Sequence, residues 1–189
     1  MAEAGIPDVD ELGELASRAF TRKVALTTAL YAVVLALASL GGGNASKDML
    51  MAQQQASDQW AYYQAKVLRE HLYRIERLRQ EAAIGDGEAA KGAAEVRALA
   101  AAEEARYGAE KAAIEAEARR LEAIRDEAGD RDPYFDYAEV LLQIAIVMAT
   151  VAILATSRPV FRFSVAVGVL GLLLTINGFT LALKLPFLH

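Results

Sequence analysis

Ser57, Asp58 and His71 are the residue types of a hydrolytic triad, in a chain whose only other histidine is His189. Their spacing denies them that chemistry. The stretch from Ser46 to Ile84 contains neither proline nor glycine and reads as one helix. Ser57 and His71 then stand about 21 Å apart at ~1.5 Å per residue, beyond any hydrogen bond. Zero cysteines remove thiolate nucleophiles, disulfides and thiolate metal sites. No histidine pair at helical spacing and no carboxylate cluster around a histidine points to a metal. Gly41-Gly42-Gly43 lacks the Gly-Lys-Ser/Thr that completes a phosphate loop, and reads as a flexible joint. The expectation is a protein that is not an enzyme and takes no cofactor and no metal. A net charge of −5 argues against nucleic acid as a partner.

Two other sets of residues could act by contact. Trp60, Tyr62 and Tyr63 crowd the segment ASDQWAYYQAK (residues 56–66), which holds the only tryptophan. Successive helical residues turn by about 100°, so one partner helix cannot cover all three rings. Gln143 and Asn177 are the most polar uncharged residues of two apolar stretches near the C-terminus. They could bond to each other or, in a transport reading, line a polar path.

The elements that carry these residues follow from hydropathy. Residues 24–40, 138–156 and 160–183 are each close to the ~20 apolar residues that cross a bilayer. Between the first and second lie about 90 strongly charged residues. The fold class read from this pattern is an all-α membrane protein: three transmembrane helices plus an extramembrane antiparallel helical hairpin, a coiled coil. Its parts are an acidic-then-basic tail (1–23), a first span (24–43), the hairpin (44–133, with helices at 46–84 and 87–128), a second span (134–157), a third (158–184) and a C-terminal tail (185–189). Arg18, Arg22, Lys23, Arg158 and Arg162 fall on one side of such a chain, against Lys47, Arg131 and Lys184 on the other. Positive charge stays cytoplasmic, which places the N-terminus inside and the hairpin and C-terminus in the periplasm. Ala36-Leu37-Ala38 offers a signal-peptidase pattern, but the apolar run is long enough to remain as a span.

Ser46 is expected to cap the first hairpin helix, Gly85-Asp86-Gly87 to break it, and Asp132-Pro133 to start the second span. Folding about the glycines sets residue i opposite roughly 172 − i, so that Lys66 and Arg69 face Glu103, Glu104 and Arg106. In this register Ala109, Ala112 and Ala113 form a floor for Trp60, leaving Tyr62 and Tyr63 for a second surface. The expected seam is Ala61, Ala65, Leu68, Leu72, Ile75 and Ala82 against Val96, Ala100, Tyr107, Ile114, Leu121, Ile124 and Ala128. It is poor in large apolar residues, which implies that the hairpin leans on another copy or another protein.

Small residues repeat at alternating 4- and 3-residue steps in all three apolar segments. The first has Ala25, Ala29, Ala32, Ala36 and Ser39; the second has Ala138, Leu142, Ala145, Ala149, Ala152 and Thr156; the third has Ser164, Gly168, Gly171, Thr175, Gly178 and Ala182. Lipid is as apolar as leucine, so helices in a bilayer associate where small residues let backbones approach.

Taken with VALTTAL at residues 24–30, the ASDQWAYYQAK segment resembles a bacterial inner-membrane family known only as a domain of unknown function. The resemblance implies a first span, a charged helical stretch and two C-terminal spans, and carries over no catalytic residue. The expected function is structural: a membrane protein that self-associates, or a small subunit of a larger membrane complex, with the lipid bilayer and copies of itself or other membrane proteins as partners. A channel or transport component is the alternative.

Overall fold

In the computed structural model the described residues are 9–82 and 88–184. They form three helices, α1 (Val9–Ala82), α2 (Glu88–Leu154) and α3 (Arg158–Thr180), with no strand among them. Each is long and apolar enough over part of its length to cross a membrane. The chain divides into two compact units, residues 1–47 with 128–189 and residues 48–127.

α1 runs 74 residues without a break, and this corrects two expectations. Gly41-Gly42-Gly43 is helical, not a joint. A Cβ at Gly41 would stand 2.5 Å from the Phe135 ring, and one at Gly42 would stand 3.1 Å from Phe135 Cβ. Gly41 and Gly42 are there for close approach, which costs about 1 kcal/mol each in helix propensity and lets a ring sit on the backbone, whereas a Cβ at Gly43 would meet nothing within 4 Å. Ser46 caps nothing, because it lies inside the helix and donates its hydroxyl to Asp132 Oδ1 at 2.6 Å. The acidic-then-basic tail is helical from Val9.

α2 carries a third correction. Asp132-Pro133 does not start a new helix, since α2 passes through Pro133. Proline removes one backbone bond and crowds the carbonyl four residues earlier, here that of Gly129. The neighbours hold the segment helical regardless: Asp132 is engaged by Ser46, while Tyr134 and Phe135 are almost fully buried. The break expected at Gly85-Asp86-Gly87, with Asp86 as cap, lies outside the described residues, as does the tail at 185–189.

In the unit of residues 1–47 and 128–189 the core is Tyr31, Val34, Ala38, Ala45, Phe135, Ala138, Leu142 and Ala145. Five small positions of α3 (Ser164, Gly168, Gly171, Thr175 and Gly178) turn inward. A Cβ at Gly168 would meet Tyr31 at 2.5 Å, one at Gly171 would meet Leu142 at 2.8 Å, and one at Gly178 would meet Phe135 at 2.8 Å. Glycine thus forms the holes into which rings and one leucine fit. Two buried polar links add direction. Ser164 Oγ donates to the Ala145 carbonyl at 2.7 Å, and Tyr31 OH donates to the Ser164 carbonyl.

The ends of the apolar helices are set locally. Ser157 N–H reaches the Ala152 carbonyl and Thr156 N–H the Ile153 carbonyl. This closes α2 in the pattern of a Schellman turn, with Thr156 left-handed at φ 46°. Leu181 takes the same conformation after α3, its N–H bonded to the Asn177 carbonyl at 2.7 Å.

In the unit of residues 48–127, α1 and α2 run antiparallel. Gln53 meets Arg125, Trp60 meets Glu122, Lys66 meets Glu110, and Arg74 meets Glu104.

Candidate interaction surfaces

The expected seam of α1 is turned away from α2. Leu68, Leu72 and Ile75 are 62, 57 and 62% exposed, and Ala61 and Ala65 are exposed beside them. Facing α2 instead are Ala52, Ala56, Lys66 and Glu70, all buried, with Tyr63 and Tyr73 half-buried. On α2 the expectation held in part: Ala100, Tyr107 and Leu121 are buried, whereas Val96 and Ile124 are exposed. Ala118, fully buried, was missed.

A ladder of charges replaces the apolar seam. The Lys66 ammonium pairs with Glu110 and lies 4.9 Å from the centre of the Tyr107 ring and 5.1 Å from that of Tyr62. Lys111 pairs with Glu70, whose other oxygen takes Arg74 at 3.3 Å. Glu104 accepts from Arg74 at 2.7 Å and from Arg77 at 2.9 Å. Tyr73 stacks on Tyr107 with ring centres 5.8 Å apart, giving the ladder a flat apolar rung. A hydrogen bond to an oppositely charged partner is the first cause of the shifts at Glu104, Glu110 and Lys66. The bond from Arg74, then that from Arg77, holds the Glu104 carboxyl below the ordinary carboxylate range. The bond from Lys66 lowers Glu110, with smaller contributions from Arg106 and Arg69, and Glu110 in turn raises Lys66.

The register explains the aromatic segment. Lys66 meets Glu110 and not Glu103, Glu104 or Arg106, so the expected pairing is displaced. Trp60 consequently finds no alanine floor at Ala109, Ala112 and Ala113. Its indole N–H donates to Glu122 Oε1 at 2.9 Å, and its ring meets the edge of Tyr63 at 5.5 Å. The two tyrosines therefore part company. Tyr63 is half-buried against Trp60, while Tyr62 is 50% exposed. Arg69 is exposed as well.

In the other unit, Ala145, Ala149, Ala152, Gly168, Gly171 and Gly178 lie where the 4-3 repeat puts them, buried inside the chain. Ala25, Ala29, Ala32 and Ala36 do not. They are exposed, and the buried face of α1 is Val24, Tyr31, Val34, Ala38 and Gly41. Tyr31 and Phe135 decide this. The Tyr31 ring must reach Gly168, and Phe135 must reach Gly41, which rotates α1 away from its alanine stripe.

Gln143 and Asn177 do not pair. Asn177 Nδ2 donates to the Leu183 carbonyl at 2.8 Å, and its Oδ1 accepts from Leu183 N–H at 2.9 Å. Both amide atoms are thus engaged in closing the end of α3. Gln143 is exposed on α2 beside Val140, Ile144 and Val147. Among the described residues no group of three or more His, Asp or Glu side chains could hold a metal ion.

No curated protein and no solved structure matches the chain. A family does: its description is Domain of unknown function (DUF4337), and it matches residues 20–181. That span takes in the first two apolar segments, nearly all of the third and the charged stretch between the first two, and the chain belongs to the DUF4337 family.

Proposed function

We propose that this is a structural membrane protein that assembles with copies of itself, inserted through its three apolar segments in a bacterial inner membrane. One observation carries the reading. α1 has two faces with 4-3 spacing that the chain leaves uncovered: Ala25, Ala29, Ala32 and Ala36 in its apolar part, and Leu68, Leu72 and Ile75 in its charged part. The first is the kind of surface on which helices meet in lipid. The second is the a/d face of a coiled coil without its partner. Tyr62 and Arg69, both exposed, flank that face and are the aromatic and arginine types that anchor interfaces. Basic residues gather just before the apolar part of α1 and at the start of α3, near the contact of Phe20 with Phe161, which favours that end as cytoplasmic and the hairpin as periplasmic. A polar transport path gains no support from Asn177, whose amide is engaged by Leu183.

The test is the mass of the protein within its detergent particle. The expected value is a multiple of the 20.4 kDa chain. Ala32→Leu, on the uncovered stripe, should reduce that multiple while leaving far-UV helicity unchanged. A wild-type protein that is monomeric in mild detergent, and uncrosslinked between copies in membranes, would sink the reading.

A further inference from the structure

Near the start of α3, and beside the first turns of the apolar part of α1, a cavity of about 170 Å³ opens between the two helices. Leu30 and Val34 form one wall, and Val165, Val169 and Leu172 form the other. At the back the Tyr31 ring lies on Gly168. Its two polar lining groups are already satisfied: Thr27 Oγ1 donates to the Lys23 carbonyl at 3.0 Å, and Tyr31 OH donates to the Ser164 carbonyl. A water molecule needs two to four polar partners and finds none here. A hydrocarbon chain needs none.

The charges in the two turns nearest one end of the groove are all of one sign, with Glu14 further along α1 paired to Arg18. Lys23 precedes Thr27 by four residues and Arg162 precedes Val165 by three, so each lies on the groove's own face, one turn further on. Helical side chains lean toward the N-terminus, which carries both groups away from the groove and past its end. α3 begins beside α1 at the level of Phe20, because Phe20 and Phe161 meet edge to face at 5.8 Å. No acidic residue occurs in 17–23 or 157–163, and Arg22 and Arg158 add to the field. α3 also starts without a side-chain cap and without an acidic residue in its first turn, so the positive end of its dipole is unopposed.

We infer that this groove binds an anionic phospholipid, one acyl chain lying between α1 and α3 and the headgroup phosphate meeting Lys23, Arg162 and the start of α3. The inference rests on the membrane insertion proposed above and does not need self-association. Charge complementarity selects the occupant. A neutral lipid would fill the groove without using the cations, and a free phosphate would use the cations without the groove.

The experiment loads the purified full-length protein, in mixed micelles, with phosphatidylglycerol or phosphatidylcholine of identical acyl chains and counts retained lipid by native mass spectrometry. Phosphatidylglycerol should be retained on the order of tenfold better, since each basic residue near a membrane surface contributes about that scale of attraction. Lys23→Gln with Arg162→Gln should bring the two lipids to parity. Val169→Trp fills the groove from its exposed rim and should reduce retention of both; Leu30→Trp does so from the opposite wall if the first variant folds poorly by circular dichroism. Equal retention of the two lipids by the wild type would overturn the inference. So would unchanged phosphatidylglycerol retention in both tryptophan variants, or displacement of the lipid by equimolar glycerol phosphate. Alkaline washing of membranes separates the premises: release of the protein would refute insertion itself, whereas a protein that stays embedded but shows no lipid preference refutes only the groove.

Discussion

The contacts of residues 1–47 with 128–184 are made by Gly, Ala and Ser, with Tyr31, Phe135 and Leu142 inserted among them. Those of residues 48–127 are made by Lys66, Glu70, Arg74, Glu104 and Glu110 beside small residues, Tyr107 and Leu121, with Leu68, Leu72 and Ile75 left outside. Each choice suits a different solvent. Where the surroundings are apolar, leucine gains nothing by meeting leucine, and close backbone approach with ring-in-hole packing is what remains. Where the surroundings are water, burying leucine is favourable, and exposed ion pairs contribute only about 0.2–1 kcal/mol each. In the membrane arrangement proposed above, a helix pair that joins through charges and exposes Leu68 and Leu72 has placed its better adhesive on the outside. The comparison is why the proposed assembly uses a leucine face in the second region and the uncovered alanine stripe of α1 in the first.

Removing a knob should break that contrast most visibly. Phe135 sits 2% exposed over Gly41, Gly178 and Phe179. Phe135→Ala should destabilise its region by about 3–5 kcal/mol, read as thermal loss of helicity in detergent. Filling a hole is the complementary change. Gly168→Ala places a methyl 2.5 Å from Tyr31 Cε1, so the ring must move and surrender its bond to Ser164. A cost of about 1–3 kcal/mol is expected, and none would mean that the glycine face is not tightly packed.

The charged region should respond to pH where the other does not. Glu104 and Glu110 have folded values below the ordinary 4.5. Their contribution is complete above that value and disappears as pH falls through the lowered ones. Lys66 is raised above 10.5, so its contribution is complete below 10.5 and disappears as pH rises through the raised value. Hydrogen exchange of residues 48–127 should accordingly be slowest between these limits and quicken in acid, corrected for the intrinsic rate. Glu104→Gln with Glu110→Gln should flatten the acid limb, while exchange at Ala145–Ala152 stays unchanged.

The smallest effect has the opposite sign. Thr156, exposed and β-branched, occupies the left-handed region at φ 46°. Thr156→Gly should stabilise the turn between α2 and α3 by about 1 kcal/mol, seen as a modest rise in melting temperature.

Much of this was legible in one dimension. In α2 and α3 the small residues occupy a single face with Leu, Val and Ile around them, so the 4-3 repeat from Ala138 to Ala152 and from Ser164 to Gly178 had one interpretation, and the chain buries those residues. α1 offered two candidate faces one residue apart, Ala25-Ala29-Ala32 and Val24-Tyr31-Val34. Periodicity ranks faces by uniformity, and the more uniform one is the one left exposed. In the charged region the opposition of basic α1 and acidic α2 was readable, but not its register, because Lys66 has several glutamates within reach along α2.

Composition and spacing alone determined the number of apolar segments, their helical state and the sign of the charges on each helix, since these depend on residues close in sequence. Which ring fills which glycine is a property of pairs such as Gly41 with Phe135 and Tyr31 with Gly168, separated by more than ninety residues. A glycine without its ring reads as a hinge, and a ring without its glycine reads as surplus bulk. Only tertiary structure brings the two together, and in doing so it turns α1 so that its alanines and leucines face away from the rest of the chain.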